Sequence, residues 1–448
     1  MPNASPGQNR TLFADLEFRG LVKQTTSPDL PKEMAQKENG GPAMTLYCGF
    51  DPTANSLHVG SLLPLLTLRR FQEKGHKVIA VVGGATGMIG DPSGKSAERS
   101  FLSEADLAKN LAGIKGVIAR FLKLDGPNPA LVLNNYDWFG MSYLAFLRDV
   151  GKHFTVNHMM AKESVRARLE DREHGISYTE FSYMLLQAYD YYWLNQKHGC
   201  NLQIGGSDQW GNITAGIELI RRIRAHHEKR DAEEMKDATF GLTMPLVMKA
   251  DGTKFGKSES GTIWLSEDRT SPYQLYQYFI QAADADVGML LRYFTFLPHD
   301  EILRLEAAMK SAPEKREAQT RLAQELVKLV HGEAALEKAT GATQALFGTE
   351  IRNLAKPALL EAFAGAASTK KPRSAIAAPL TVVDLLVEAG LCNGKGAARK
   401  DIQGGGIYLN NERVSDPAAT VTAKDLLADF ALILRKGKKS YHLFRFDG

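Results

Sequence analysis

One run, Thr45 to Gly60, reads Thr-Leu-Tyr-Cys-Gly-Phe-Asp-Pro-Thr-Ala-Asn-Ser-Leu-His-Val-Gly and restricts the fold more than any other part of the chain. Its apolar residues up to Gly49 predict a short strand, Asp51-Pro52-Thr53 a turn, and His58-Val59-Gly60 the start of a helix. A helix start offers unpaired backbone N–H groups and the positive end of the dipole. Gly60 has no Cβ to hold a ligand away, so the junction suits an anion. A His and a Gly two apart fit a nucleotide whose phosphates cross the helix start, with the imidazole donating to a phosphate oxygen. By themselves they fit a helix cap equally well.

The chain beyond this run continues the pattern. Leu62 to Lys74 is predicted helical, with Pro64 in or near the first turn, and Lys77 to Val82 is a short buried strand. Strand, helix and parallel strand make a nucleotide-binding α/β unit. The glycine-rich run Gly83 to Ser96 is neither a phosphate loop, because Ile89 stands where a Gly is needed, nor a dinucleotide fingerprint, because Gly-x-Gly is absent. Phe181 to Leu194 is helical, with Tyr183, Gln187 and Asp190 at i, i+4 and i+7 on one face and apolar residues almost everywhere else. That polar stripe is either a wet side or the wall of a site for a small polar ligand.

Leu202 to Ile204 is another short strand, and it ends in Gly205-Gly206-Ser207-Asp208-Gln209 at the crevice where open parallel sheets bind ligands. Further on, Lys254-Phe255-Gly256-Lys257-Ser258 puts two lysines three apart in a turn-rich loop, a pattern able to close over a polyphosphate.

Asp51 to Gly60, preceded by Tyr47-Cys48-Gly49-Phe50, resembles the first signature of the class I aminoacyl-tRNA synthetases, and Lys254 to Ser258 resembles the second, both in the bacterial tyrosyl form. One residue departs from the pattern: Ser61 stands where the family has a second His that contacts the ribose. The resemblance implies activation of L-tyrosine by ATP with Mg2+, then transfer of tyrosine to the terminal ribose of tRNA(Tyr). It assigns Thr53, His58, Lys95, Arg99, Lys254 and Lys257 to the phosphates during catalysis. For tyrosine it implies Tyr47 and Asp190 at the phenolic hydroxyl, Asp91, Tyr183 and Gln187 at the α-amino group, and Gln209 at the carboxylate. For ATP it implies Cys48, Gly49, Asp51, His58, Gly60, Ser61, Gly206, Asp208, Lys257 and Ser258. A homodimer, formed through the region Phe139 to His158, also follows from the resemblance alone. The alternatives are a tryptophanyl enzyme on the same scaffold and an RNA-binding protein that has lost activation.

The expected architecture is α/β: a Rossmann-like parallel-sheet catalytic domain over residues 1–243, then a signature loop and an all-α domain over 244–350, which the resemblance implies is anticodon-facing. A linker over 351–379, its Phe363–Pro379 part rich in Ala, Ser, Lys and Pro, leads to a small α+β domain over 380–448 that resembles the RNA-binding module first described in a ribosomal small-subunit protein. The charge distribution agrees with that last domain. The net charge is +4, and from Lys370 onward 13 Lys and Arg face 8 Asp and Glu, so the basic excess lies in the tail, where a polyanion is the expected partner. Arg399, Lys400, Arg435, Lys436, Lys438 and Lys439 are the candidate RNA contacts.

Three widely separated cysteines exclude a disulfide framework and a Cys-x-x-Cys metal site, and the eleven histidines form no ligand cluster, so no protein-held metal is expected. No apolar run is long enough for a membrane span and no signal peptide is visible, so a cytoplasmic location is expected.

Overall fold

The computed structural model describes residues 10–91, 103–162, 165, 166, 169, 175–233, 235, 238–253, 255–258, 261–347, 351, 352, 354–363, 367–437 and 440–447. Two compact units result: Met1–Arg269 with Ala282–Leu322, and Thr270–Gln281 with Ala323–Gly448.

The first unit is built on a six-stranded sheet: β1 (Gln24–Thr25), β2 (Thr45–Phe50), β3 (Lys77–Val82), β4 (Leu131–Asn134), β5 (Leu202–Gly206) and β6 (Phe240–Met244). The spatial order is β1-β6-β5-β2-β3-β4. All neighbours are parallel except β1, which runs antiparallel on the edge beside β6. The chain steps outward from β2 to β3 and β4, then crosses to the other side of β2 to lay down β5 and β6. The order therefore reverses between β2 and β5, which opens a crevice at the carboxyl ends of those strands. Strand β3, Lys-Val-Ile-Ala-Val-Val, is buried at every position after the lysine, as a central parallel strand covered on both faces must be.

Helices α1 (Leu12–Phe18), α2 (Leu30–Glu38), α3 (Leu62–Glu73), α4 (Thr86–Ile89), α5 (Glu104–Phe121), α6 (Tyr143–Asp149), α7 (Val156–Met160), α8 (Tyr178–His198) and α9 (Trp210–Glu228) belong to the same unit. Ser177 caps α8, accepting from Glu180 N, and Gly199 ends it in the left-handed conformation. Helix α8 buries Tyr183, Met184, Leu185, Ala188, Tyr189, Tyr191 and Leu194, and packs with α9 in a core that includes Tyr47, Ile79 and Val81 from the sheet.

Two expected boundaries move. The helices Asp284–Phe294 and His299–Ser311, assigned from sequence to a separate all-α domain, belong to the first unit. Guanidinium groups tie them down: buried Arg19 donates to Thr295 O and Leu297 O at 3.0 and 2.9 Å, and half-buried Arg292 donates to Phe18 O at 2.8 Å. Residues 351–379, read as a linker, contain the helix Lys356–Ala362 and the strand Ala367–Pro372, which pairs in parallel with Ser440–Asp447. Composition suggests a flexible segment because four of the six strand residues are Ser, Thr or Lys. An edge strand, however, tolerates polar residues along its solvent side.

In the second unit, Ala367–Pro372, Ile407–Leu409, Glu412–Arg413, Ala431–Lys436 and Ser440–Asp447 form one sheet. Helices Val382–Glu388 and Lys395–Gln403 cover one face around Leu432, Leu434, Phe444 and Phe446. Leu359 and Phe363 pack against Ile433 and Leu443 on the other.

Candidate active site

A cleft of about 210 Å³ opens at the β2/β5 reversal. Its walls include Tyr47, Cys48, Gly49 and Asp51 from the end of β2, and Gly206, Asp208 and Gln209 from the end of β5. Asp91 approaches from the glycine-rich loop, and Tyr183, Gln187 and Asp190 from one face of α8. The helical spacing of those three residues therefore becomes a shared wall. The alternative of a wet outer side does not describe α8, because Tyr183 and Asp190 are both buried.

At the floor, Asp190 is 4% exposed. Its Oδ1 accepts the indole N–H of Trp138 at 2.8 Å and its Oδ2 accepts Asn135 Nδ2 at 3.2 Å. Burial nevertheless dominates these two donors and pushes the carboxyl up to about 7. The Tyr47 ring, 1% exposed, carries a buried hydroxyl with no hydrogen-bond partner among the described residues. Desolvation, then the Asp190 charge, raises its pKa well above 10.0. A buried hydroxyl left unpaired costs about 1–3 kcal/mol, so an orphan facing a cleft marks a place for a ligand's polar atom. Gln203, opposite Tyr47 in the β2/β5 register, lines the same cleft with an unpartnered Oε1.

The other end of the cleft is wired together. Gln209 Nε2 donates to Asp91 Oδ2 at 2.7 Å, while its Oε1 accepts Gln187 Nε2 at 3.2 Å and Asn212 Nδ2 at 3.1 Å. Gln209 thus bridges Asp91 and Gln187 in addition to whatever it offers a ligand. Asp208, next along, has its pKa raised by burial and by the Asp91 charge.

The helix start at His58 differs from the expectation of open N–H groups. Val59 N donates to Ile263 O at 3.0 Å, Gly60 N to His58 Nδ1 at 3.0 Å, and Ser61 N to His58 O at 2.8 Å. His58 caps a short 3-10 turn, Val59–Ser61, that leads into α3. Gly60 is required because a Cβ there would lie 2.7 Å from the His58 ring. The consequence concerns the tautomer: Nδ1 accepts from the backbone, so the neutral ring carries its proton on Nε2 and presents it outward as a donor. Desolvation lowers the His58 pKa and favours this neutral form, although part of the ring reaches solvent. The expected anion-facing group is therefore the imidazole edge, with the backbone N–H groups occupied.

The two signatures meet. His58 and Trp264 form an antiparallel bridge, Leu265 N donates to Leu57 O at 2.8 Å, and Ile263 N donates to Gly256 O at 3.0 Å. Lys257–Ser258 pairs with Gly261–Thr262. Lys95, Arg99, Lys254, Lys438 and Lys439 lie outside the described residues. Thr53 is exposed on the loop after β2, and Ser61 is half-buried ahead of α3.

Two cleft residues, Asn135 and Gln203, carry no signal in the sequence, and neither does Trp138, which supports Asp190. The run Asn134-Asn135-Tyr136-Asp137-Trp138 reads as a polar turn, and only the return of β4 beside β3 brings it under Asp190.

Comparison with known proteins gives the same family. Residues 39–348 match the family described as tRNA synthetases class I (W and Y). This chain belongs to the class I tRNA synthetases of that group. Residues 362–444 match the tyrosine–tRNA ligase SYY-like C-terminal domain. Among curated relatives, the tyrosine–tRNA ligases of Bacillus caldotenax and Geobacillus stearothermophilus are each 52% identical over 437 residues, covering 97% of this synthetase and 99% of theirs. A C-terminally truncated mitochondrial tyrosyl-tRNA synthetase of Aspergillus nidulans superposes with a TM-score of 0.66 at 31% identity, covering 76% of this chain and 95% of that one. A tryptophanyl-tRNA synthetase of Encephalitozoon cuniculi, at 14% identity and a TM-score of 0.50, shares the fold.

In the C-terminal module of this synthetase, Arg399 and Lys400 are exposed on the helix Lys395–Gln403. Arg435 and Lys436 are partly engaged. The Arg435 guanidinium lies 3.7 Å from the Tyr408 ring centre, and Lys436 pairs with Asp401 at 2.8 Å.

Proposed function

We propose that the cleft binds L-tyrosine with its phenolic hydroxyl between Tyr47 and Asp190, and ATP across the His58 loop. The activity is that of a tyrosine–tRNA ligase: ATP converts tyrosine to tyrosyl-adenylate and pyrophosphate, and the tyrosyl group passes to tRNA. The observation that carries tyrosine as substrate is the buried, unpartnered Tyr47 hydroxyl in the same cleft as the Asp190 carboxylate. A phenol can accept from the first and donate to the second, and phenylalanine can do neither.

The amino acid carboxylate is already a nucleophile near neutral pH, so activation needs positioning and charge stabilisation in place of a general base. Asp91, Gln187 and Tyr183 would hold the ammonium end, and Gln209 would orient them while reaching the carboxylate. Neutral His58, donating from Nε2, and Thr53 would steady the phosphates from the loop after β2. Cys48, Gly49, Asp51, Gly206, Asp208 and Ser61 would line the nucleoside side. Lys95, Arg99, Lys254 and Lys257 would supply charge at the leaving pyrophosphate, and Ser258 a neutral contact to ATP. Magnesium would arrive as MgATP, held by phosphate oxygens. No cluster of three or more His, Cys, Asp or Glu able to hold a metal ion is present among the described residues.

Transfer to tRNA would use the basic C-terminal module, with Arg399 and Lys400 facing solvent on one helix. A homodimer is supported by exposed apolar residues on α6, α7 and the start of α8: Tyr143, Leu144, Val156 and Tyr178. No described helix is long and apolar enough to cross a membrane. A cytoplasmic location would suit a consumer of ATP and tRNA.

Pyrophosphate exchange measured with tyrosine, tryptophan and phenylalanine tests the reading. Exchange supported by tyrosine alone is expected. Exchange with tryptophan in its place would overturn the substrate assignment.

A further inference from the structure

The loop that joins β2 to the His58 turn carries Thr53, and its support comes from outside the cleft. Asn110 on α5 is 8% exposed and donates through Nδ2 to Pro52 O at 2.9 Å. Thr53 N, on the other side of the same peptide bond, donates to Asp51 O at 2.9 Å. A peptide unit is planar, so fixing its carbonyl and its N–H together fixes the plane and with it the position of Thr53 Cα and the direction of its N–Cα bond, from which the side chain projects.

One helical turn along α5, Gly113 lies against Asn55. A Cβ at position 113 would stand 2.0 Å from Asn55 O. Asn110 and Gly113 are three residues apart and share a helix face, so α5 meets the loop at two points. On the other flank the Pro52 ring fills the space a Cβ on Gly87 would take, at 2.7 Å. The loop is tied at its ends, where Gly83 N after β3 donates to Phe50 O at 3.1 Å and Leu265 N, beyond the second signature, to Leu57 O at 2.8 Å. Between those ties, α5 holds it.

We propose that Asn110 is a positioning residue for the activation step, holding the Pro52–Thr53 peptide so that Thr53 meets the phosphates of ATP, with Gly113 permitting the close approach. Leucine keeps the γ-branched shape without the polar atoms, so the substitution removes the bond to the backbone carbonyl. Loss of that bond frees the peptide plane to rotate while the sheet, the tyrosine end of the cleft and the core stay in place.

The proposal rests on the reading of the loop as the phosphate side of the site, and the experiment separates the two. Asn110→Leu, Gly113→Ala, Thr53→Ala and the double variant Asn110→Leu/Thr53→Ala are compared by pyrophosphate exchange, with folding checked by circular dichroism and thermal melting. The expected result for Asn110→Leu is a fall of roughly tenfold in kcat, a KM for tyrosine within about twofold of the parent, and no further loss when Thr53→Ala is added. Gly113→Ala removes no polar group and is expected to shift kcat in the same direction, so it carries the test if Asn110→Leu does not fold. Wild-type exchange by the folded variants, or full additivity with Thr53→Ala, overturns the positioning role and leaves the loop reading intact. A Thr53→Ala variant with unaltered exchange overturns the loop reading itself.

Discussion

Trp138 Nε1 donates to Asp190 Oδ1 across 2.8 Å, in a place where burial still pushes the carboxyl up to about 7. The indole and the Asn135 amide favour the charged form, and the lost hydration outweighs both. A group at the floor of the cleft therefore titrates close to physiological pH.

Tyrosine affinity should follow that titration. The carboxylate is the acceptor proposed for the phenol, so kcat/KM for tyrosine should rise as pH increases through about 7 and level off above it. Removing one stabilising donor with Trp138→Phe should move the rise to higher pH. A profile with no inflection in this range would remove Asp190 from the role.

The same group sets a stability trend of defined sign. Unfolded, it titrates near its ordinary 3.8; folded, near 7, so the folded state holds an extra proton between those values. The ligand-free protein should be most stable at the acid end of that window for this group, and lose that contribution as pH rises through about 7. Melting temperatures of Asp190→Asn, compared with the parent between pH 5.5 and 8, roughly bracketing the titration, should show a flatter dependence.

Tyr47→Phe removes a buried hydroxyl that has no partner among the described residues. Thermal stability of the free protein should hold or rise, because an unsatisfied group costs about 1–3 kcal/mol. Discrimination between tyrosine and phenylalanine should fall by roughly tenfold, the worth of one hydrogen bond. A large loss of stability would mean that the hydroxyl is satisfied within the protein.

Gly60→Ala places a methyl group against the His58 ring and should turn the imidazole away from its capping position. Exchange should fall while the KM for tyrosine stays near the parent value. His58→Asn keeps a capping oxygen for Gly60 N and a donor beyond it, and should retain more stability than His58→Ala by about 1 kcal/mol in chemical denaturation.

Leu144→Glu puts a charge on the exposed apolar surface of α6. Sedimentation should show a shift from the proposed dimer toward monomer. An unchanged dimer would place the contact elsewhere.

Local signals carried much of this protein. Lys77–Val82 is a strand over the residues that its apolar run predicts, and the i, i+4, i+7 spacing of Tyr183, Gln187 and Asp190 lines one wall of the cleft. Both depend on a pattern within a single element, a continuous apolar run in one and helical spacing in the other, which a sequence displays directly. Residues 351–379 misled for the opposite reason, since the strand at Ala367–Pro372 exists through its pairing with Ser440–Asp447, some seventy residues away.

The amino-acid order determined the two signatures, the alternation of strands and helices between them, and the side chains able to meet a phenol and a triphosphate. Tertiary structure alone decided that Trp138 and Asn135 meet at Asp190, that Val59 N is taken by Ile263 O, and that Asn110 reaches Pro52 from α5. Hydrogen bonds across fifty or more residues depend on how the crossovers lay one element over another, and no short-range pattern in a chain encodes that distance.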